Sequence, residues 1–261
     1  PNALVRWRRD LFLRRAERAR RAAFRACDGL QANGLPAHDA YQRHGNCLLY
    51  FDTRVSRHTL IDDRTLAARL AQLYLPRPRP LRLGFSGRLI AMKGADHLVA
   101  VAARLRARGV HCEWTVYGTG ALEASMRADI ARLGLADHFK LAGAVDFDTA
   151  LIPAIQSGCD LYVMLHRQSD PSCTYLETLA CGIPIVGYAN RSLAGLLRQA
   201  DVGEQVPIDD IDEIVEVLAR LDVDRTAIAR MSRAARAFAE AHAFEDTFQR
   251  RVAHLQHVAA A

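Results

Sequence analysis

Between residues 81 and 199 the apolar and polar positions follow two alternating rhythms. Short apolar runs closed by Gly or a polar residue, LRLGFSG, CEWTVYG, FKLAG, CDLYVML and IPIVGY, have the length and composition of buried strands. Between them, ADHLVAVAARLRARG, ALEASMRADIARLG, FDTALIPAIQS, the stretch around TYLETLA, and SLAGLLRQ read as helices. Strand–helix alternation with crossovers this short predicts an α/β fold with a doubly wound, Rossmann-like parallel sheet. Ligands of such sheets bind beyond the carboxyl ends of the strands, so the loops after each strand are the places to search.

The rest of the chain is patterned differently. Residues 1–27 and 63–74 predict helices, GLQAN and NCLLYFDT short strands, and 210–261 a run of helices. CDGLQANGLPAHDAY is interrupted by Gly and Pro. LPRPRP, residues 75–80, forbids helix and favours a stiff extended connector, which marks a domain boundary. No internal repeat is present.

Composition changes this picture little. The 261 residues, half apolar and a quarter charged, suit one large domain or two unequal ones with a real core. No apolar run reaches the ~20 residues of a membrane span, and PNALVRWRRDLFLRR lacks the apolar region of a signal peptide. The first residue is not Met, which points to a fragment or a trimmed chain. Cys27, Cys47, Cys112, Cys159, Cys173 and Cys181 form no CxxC pair and read as reduced thiols of a cytoplasmic protein.

Charge matters more, because it is local. Residues 1–27 hold nine Arg against Asp10 and Glu17, a balance of +7, while the remainder holds 26 basic and 27 acidic groups. The basic character therefore belongs to one segment, and no nucleic-acid partner is expected. That segment carries a thin stripe of Phe12, Ala16, Ala19, Ala23 and Ala26. It reads as a solvated helix packing on a neighbouring element, or as a peripheral contact with an anionic membrane face. The first reading weighs more, since alanine anchors poorly.

Four strand-end loops carry candidate chemistry. In FSGRLIAMKGAD, Arg88 and Lys93 precede a helix and suit a diphosphate, with an ordinary pair of surface charges equally compatible. In VYGTGALE, Gly118 and Gly120 either admit a ligand against the backbone or serve only the turn. Gly143 to Val145 offers backbone groups after the third strand. Asp146 and Asp148, like Asp222 and Asp224, superficially form DxD metal pairs, but an Asp there more often caps the following helix, so no metal is expected. The fourth loop, SDPSCTYLETLACG, sets the amides of Ser172, Cys173, Thr174 and Tyr175 at a helix N-terminus. Thr174 and Glu177 match a capping box, a structural role for Glu177 that does not compete with a ligand role, since one Glu in a helix's first turn can do both. His166 is a lone histidine, more often structural, and Cys173 has no paired base.

The order of these loops resembles the C-terminal domain of retaining GT-B glycosyltransferases of family 4. SGRLIAMKG, YGTGALE, AGAV and LETLACGIPIVGY stand in that family's order and spacing from about 81 to 240. The resemblance implies the C-terminal half of a GT-B architecture with a partial N-terminal domain. Residues 1–74 would be the remnant of the acceptor domain, 75–80 the linker, 81–240 the donor-binding domain, and 241–261 a crossing helix. It implies a nucleoside-diphosphate sugar as co-substrate and no cofactor. Arg88 and Lys93 would bind the diphosphate and assist its departure; Gly87, Gly118, Gly120 and Val145 would frame the nucleotide. Glu177 would accept from the ribose hydroxyls, and the amides from Ser172 to Tyr175 would meet the diphosphate. The family's usual acid eight positions before Glu177 is Ser169 here, with Asp170 one place along to reach the same region. The implied setting is bacterial polysaccharide or glycolipid assembly, at the cytoplasmic face of the inner membrane, with a saccharide or lipid-linked saccharide as acceptor. The isolated chain is expected to bind donor poorly and transfer little sugar. The readings weighed against this are a GT-B sugar-nucleotide epimerase and a non-catalytic sugar-nucleotide-binding module.

Overall fold

The computed structural model describes residues 2–75 and 79–260, so Pro76, Arg77 and Pro78 of the expected linker lie outside the described residues. The first part comprises α1 (Ala3–Arg25), β1 (Leu30–Asn33), α2 (Leu35–Tyr41), β2 (Cys47–Tyr50) and α3 (Asp63–Ala71). β1 and β2 pair in parallel as a small two-stranded sheet. α2 was not expected, because Gly34 and Pro36 read as breakers. In the structure Gly34 is its N-cap at φ 77°, and Pro36 sits in the first turn, where a missing N–H costs nothing.

The second part alternates as expected: β3 (Leu81–Ser86), α4 (Ala95–Ala107), β4 (Cys112–Tyr117), α5 (Glu123–Arg132), β5 (Phe139–Gly143), α6 (Ile152–Gly158), β6 (Leu161–Met164), α7 (Thr174–Ala180), β7 (Ile185–Tyr188), α8 (Arg191–Gln199) and β8 (Gly203–Val206). β8 is the other unexpected element: GEQV is a polar edge strand in which only Val206 is buried, so no apolar alternation announces it. The six strands are all parallel in the order β5-β4-β3-β6-β7-β8. Both faces are covered, which is why the inner strands are mostly apolar; every residue of β6 and β7 is buried.

Three helices close the chain: α9 (Ile211–Val223), α10 (Arg225–Ala241) and α11 (Phe244–Ala259). α10 packs on α7. α11 returns to the small sheet. Gln31 Nε2 donates to the Arg251 carbonyl at 2.9 Å, Arg251 Nε donates to Gln31 Oε1 at 2.9 Å, and the Phe244 amide donates to the Val55 carbonyl at 2.8 Å. α3 lies before the Pro-rich stretch, yet its Leu66 and Leu70 belong to the same apolar core as Leu81, Leu83 and Phe85 of β3.

Candidate functional site

The strand order reverses between β3 and β6, and the loops leaving these two strands flank the crevice at that switch point. After β3, Leu89 is fully buried and anchors the loop, while Arg88 beside it is exposed and makes no ion pair among the described residues. Lys93 ends a short 3₁₀ turn, Ala91–Lys93. Gly94 follows at φ 72°, where a Cβ would lie 2.1 Å from the Leu165 carbonyl oxygen; only glycine lets the turn press this close to the end of β6. Arg167 then clamps the turn. Its amide donates to the Met92 carbonyl at 3.0 Å, its guanidinium to the Ala91 carbonyl, and its two terminal nitrogens to Asp96 at 2.8 and 3.0 Å. Arg167 thus places Lys93, and no motif pointed to it.

Lys93 Nζ meets Asp170 Oδ2 at 3.1 Å, and the lysine side chain is only 12% exposed. Ser169, standing where the usual acid was sought, faces elsewhere: its Oγ accepts from the Arg191 amide at 3.0 Å, and its carbonyl accepts from Ser192 Oγ at 2.9 Å. Ser169 is therefore committed to the start of α8, and Asp170 is the acid that faces the lysine. His166 lies beneath them, buried, with its ring edge-on to Phe85 and Tyr175. Burial, with Lys93 nearby, holds its imidazole down at about 4. The Tyr175 hydroxyl accepts from Asn190 Nδ2 at 3.0 Å, and burial pushes that phenol up to about 12. Of the four amides expected to face a ligand, Ser172 donates to the Asp170 carbonyl and Tyr175 to the Ser172 carbonyl. This leaves those of Cys173 and Thr174 without a backbone partner among the described residues. Burial also pushes the Cys173 thiol up, so it is no thiolate nucleophile.

The capping-box reading of Glu177 is corrected. The N-cap of α7 is Cys173, with no side-chain cap, so Thr174 is the first helical residue and Glu177 the fourth. From there the carboxylate cannot reach back to the N-cap amide. Thr174 Oγ1 instead accepts from Ser172 Oγ at 3.2 Å, and Glu177 Oε1 accepts from Arg54 Nε at 2.8 Å. Glu177 is 6% exposed. Burial pushes its carboxyl up, opposed by the Arg54 charge and hydrogen bond. Arg54 comes from the segment after β2, and its guanidinium lies over the Phe147 ring at 3.5 Å.

The two glycines after β4 have a packing reason of their own. A Cβ on Gly118 would lie 2.0 Å from the Gly87 carbonyl oxygen, and one on Gly120 would lie 2.5 Å from that of Leu89. The Leu89 amide donates to the Thr119 carbonyl at 2.9 Å and the Leu122 amide to the Leu89 carbonyl at 3.0 Å, so the loops after β3 and β4 are zipped together. Val145 is exposed beyond β5. Asp146 caps the turn that follows, accepting from the Thr149 amide at 2.8 Å and its hydroxyl at 2.6 Å. Asp224 likewise caps α10. Among the described residues no group of three or more His, Cys, Asp or Glu is placed to hold a metal ion.

The loop after β3 thus carries Arg88 and Lys93, the segment after β6 carries Asp170 and Glu177, and Lys93 meets Asp170 between them, while Arg54 links Glu177 to Phe147. A doubly wound parallel domain whose crevice adjoins a second parallel sheet is the GT-B architecture, and the solved structures it resembles are of that class. It superposes on Anabaena Alr3699/HepE in complex with UDP with a TM-score of 0.68 at 17% identity, covering 88% of this chain and 63% of that one. For the pneumococcal O-GlcNAc transferase GtfA in complex with UDP and GlcNAc the TM-score is 0.66 at 14% identity, covering 90% and 46%. At these identities the likeness is one of fold. The family "Glycosyl transferases group 1" matches residues 74–238, and the chain belongs to it. Its relatives include the alpha-D-kanosaminyltransferase of Streptomyces kanamyceticus, 26% identical over 171 residues, 66% of this chain and 44% of that enzyme. The glycogen synthase of Halorhodospira halophila is 31% identical over 156 residues, 58% of this chain and 32% of that enzyme. The chain thus spans less than half the length of these two relatives.

Proposed function

We propose that the chain is the donor-binding part of a retaining, family 4 type glycosyltransferase, which moves a sugar from a nucleoside-diphosphate sugar to a saccharide or lipid-linked saccharide. The observation that supports this reading is that Arg88 and Lys93 follow β3 and Glu177 follows β6, the two strands at the switch point of a group 1 family member. In this reading Arg88 and Lys93 take the donor diphosphate, and their positive charge, with the Cys173 and Thr174 amides, stabilises the leaving group as the glycosidic bond breaks. Charge stabilisation of this kind asks for no metal ion. Glu177 accepts from the ribose hydroxyls, Val145 and the glycines of the β3 and β4 loops frame the nucleotide, and Asp170 takes the donor-sugar side left open by Ser169.

The small sheet with α1 and α2 would then belong to the acceptor side, with α11 crossing back to it. Two of the relatives fit such chemistry by their names, as an amylovoran biosynthesis glycosyltransferase of Erwinia amylovora and a phosphatidylinositol monomannoside mannosyltransferase of Mycolicibacterium smegmatis. We place the protein at the cytoplasmic face of the membrane in polysaccharide or glycolipid assembly. α1 is the segment that would touch acidic lipid, since Trp7 and Phe12 stand exposed among its arginines.

Calorimetric titration of the full-length parent with UDP-, GDP- and ADP-sugars tests the donor assignment. Saturable binding of one base series, weakened by Lys93→Ala, is the expected result, and no saturable binding to any of them would overturn it. Arg88→Ala and Lys93→Ala in the full-length parent should lower turnover more than donor affinity.

A further inference from the structure

Arg54 was not a candidate on any sequence criterion, yet it touches both Glu177 of α7 and Phe147 after β5. Its position is built rather than incidental. Thr53 and Val55 on either side are buried, and Thr53 Oγ1 accepts from the Val55 amide at 3.0 Å. The Val55 carbonyl accepts from Phe244, and the Asp52 amide donates to Asn33 Oδ1 at 3.0 Å. The backbone is therefore pinned from both directions, and only the side chain reaches out, 59% exposed, to Glu177. Phe147, under the guanidinium, is fixed in turn by the Asp146 cap on the same turn.

The geometry at Glu177 is one-sided. Arg54 Nε engages Oε1, and among the described residues Oε2 has no hydrogen-bond partner. A carboxyl this buried tends to hold its proton, and a protonated carboxyl is a poor acceptor for a hydroxyl. The titratable groups beside it give no alternative cation. The Cys173 and Cys181 thiols are neutral, pushed up by burial, and Asp52 near Cys173 is an acid. Among the described residues Arg54 is the cation beside Glu177.

We propose that Arg54 is a positioning residue of the nucleotide site: stacked on Phe147, it fixes one oxygen of Glu177 and leaves the other to accept a ribose hydroxyl. This rests on the reading of Glu177 as the ribose carboxylate. It makes the segment after β2, outside the large doubly wound domain, part of the nucleotide site. The bond is to the nucleoside end of the donor; the diphosphate end is left to Arg88 and Lys93.

The test compares UDP with inorganic pyrophosphate on the full-length parent in wild-type, Arg54→Gln and Arg54→Lys forms, by calorimetry from pH 5 to 8, with GDP or ADP in place of UDP if one of those is the base that saturates. Arg54→Gln should weaken nucleoside-diphosphate binding about tenfold at pH 7, as expected for loss of a charge-assisted bond, and leave pyrophosphate binding within about twofold. Without the cation the Glu177 carboxyl rises further, so the variant should lose affinity on acidification at a higher pH than the wild type. Arg54→Lys, which keeps the charge, should restore most of that pH profile. Equal losses for nucleotide and pyrophosphate, or an unchanged pH profile in Arg54→Gln, would mean that Arg54 only ties the two parts of the chain together, and would overturn the proposal. Wild-type protein that binds pyrophosphate but gains nothing from a nucleoside would sink the reading of Glu177 and this inference with it. Wild-type nucleotide binding that Arg54→Gln leaves intact sinks this inference alone.

Discussion

His166 is 1% exposed and neither ring nitrogen has a partner among the described residues, so the site holds a neutral imidazole at the end of β6. Its value of about 4 in the folded state lies below its ordinary 6.5. Between those two pH values the unfolded chain binds a proton that the folded chain refuses. Stability therefore falls as pH drops from 6.5 towards 4 and levels off below that, by an amount of order 3 kcal/mol at most. His242, also held down at about 4 by burial, adds a contribution of the same sign. Urea unfolding of His166→Leu at pH 7.5, 6 and 5 isolates the first: the variant should lose less stability on acidification than the wild type, and parallel pH curves would refute the assignment. Such residue-scale features divide sharply in what the sequence discloses. Arg88, Lys93 and Glu177 stand in a recognisable local order. Arg54 meets Glu177 across 123 positions of sequence, and no local spacing encodes that contact. The capping-box error has a similarly small cause: the helix begins one residue earlier than the motif requires, which moves Glu177 from the third to the fourth helical position.

At the scale of elements, the loops after β3, β4 and β5 behave as one unit, because Gly118 donates to the Gly143 carbonyl at 2.7 Å while its own α-carbon faces Gly87. Two substitutions separate conformational strain from collision. Gly118, at φ 121°, has a carbonyl oxygen 2.0 Å from where a Cβ would sit, whereas Gly143, at φ 75°, has nothing within 4 Å. Gly143→Ala should cost about 1 kcal/mol, the price of the left-handed conformation. Gly118→Ala adds a displaced loop and should cost roughly 2–3 kcal/mol more. Denaturant midpoints of the two variants measure this, and equal losses would mean that the loops are not packed as described. The strands and helices around these loops were legible because a sheet covered on both faces needs largely apolar strands, and β6 and β7 are apolar and buried throughout while β3 departs only at Arg82 and Ser86. β8 has no such need at the sheet edge. α2 is held by tertiary contact: Leu35 packs on Gly195 of α8, where a Cβ would come within 2.7 Å of the leucine Cβ. Its seven residues with a Gly–Leu–Pro start carry little helical signal alone.

Across the whole molecule, the question is what makes the first 74 residues and the large sheet one folding unit. Arg57–Asp246 and Arg198–Asp39 join the parts at the surface, where such pairs are worth little. The stronger join is buried. Arg69 of α3 is 6% exposed and donates to three carbonyls: Gln156 at 3.0 Å, Cys181 at 2.7 Å and Gly182 at 2.6 Å. These belong to α6 and to the C-terminal end of α7, whose last carbonyls would otherwise lack donors. Burial disfavours the guanidinium charge, and the helix-end carbonyls with their negative dipole offset that. Arg69→Met keeps the length and the apolar contacts of the stem but leaves three buried acceptors without donors, a loss of about 3–5 kcal/mol. Ile61, Leu66, Leu70 and Leu73 remain in the same core as β3, so the variant should still unfold in a single transition, at a lower temperature. Calorimetry decides between the two ways the parts can be joined. A single transition displaced downward means that α3 belongs energetically to the large domain, while a split into two transitions means that Arg69 alone was holding them together.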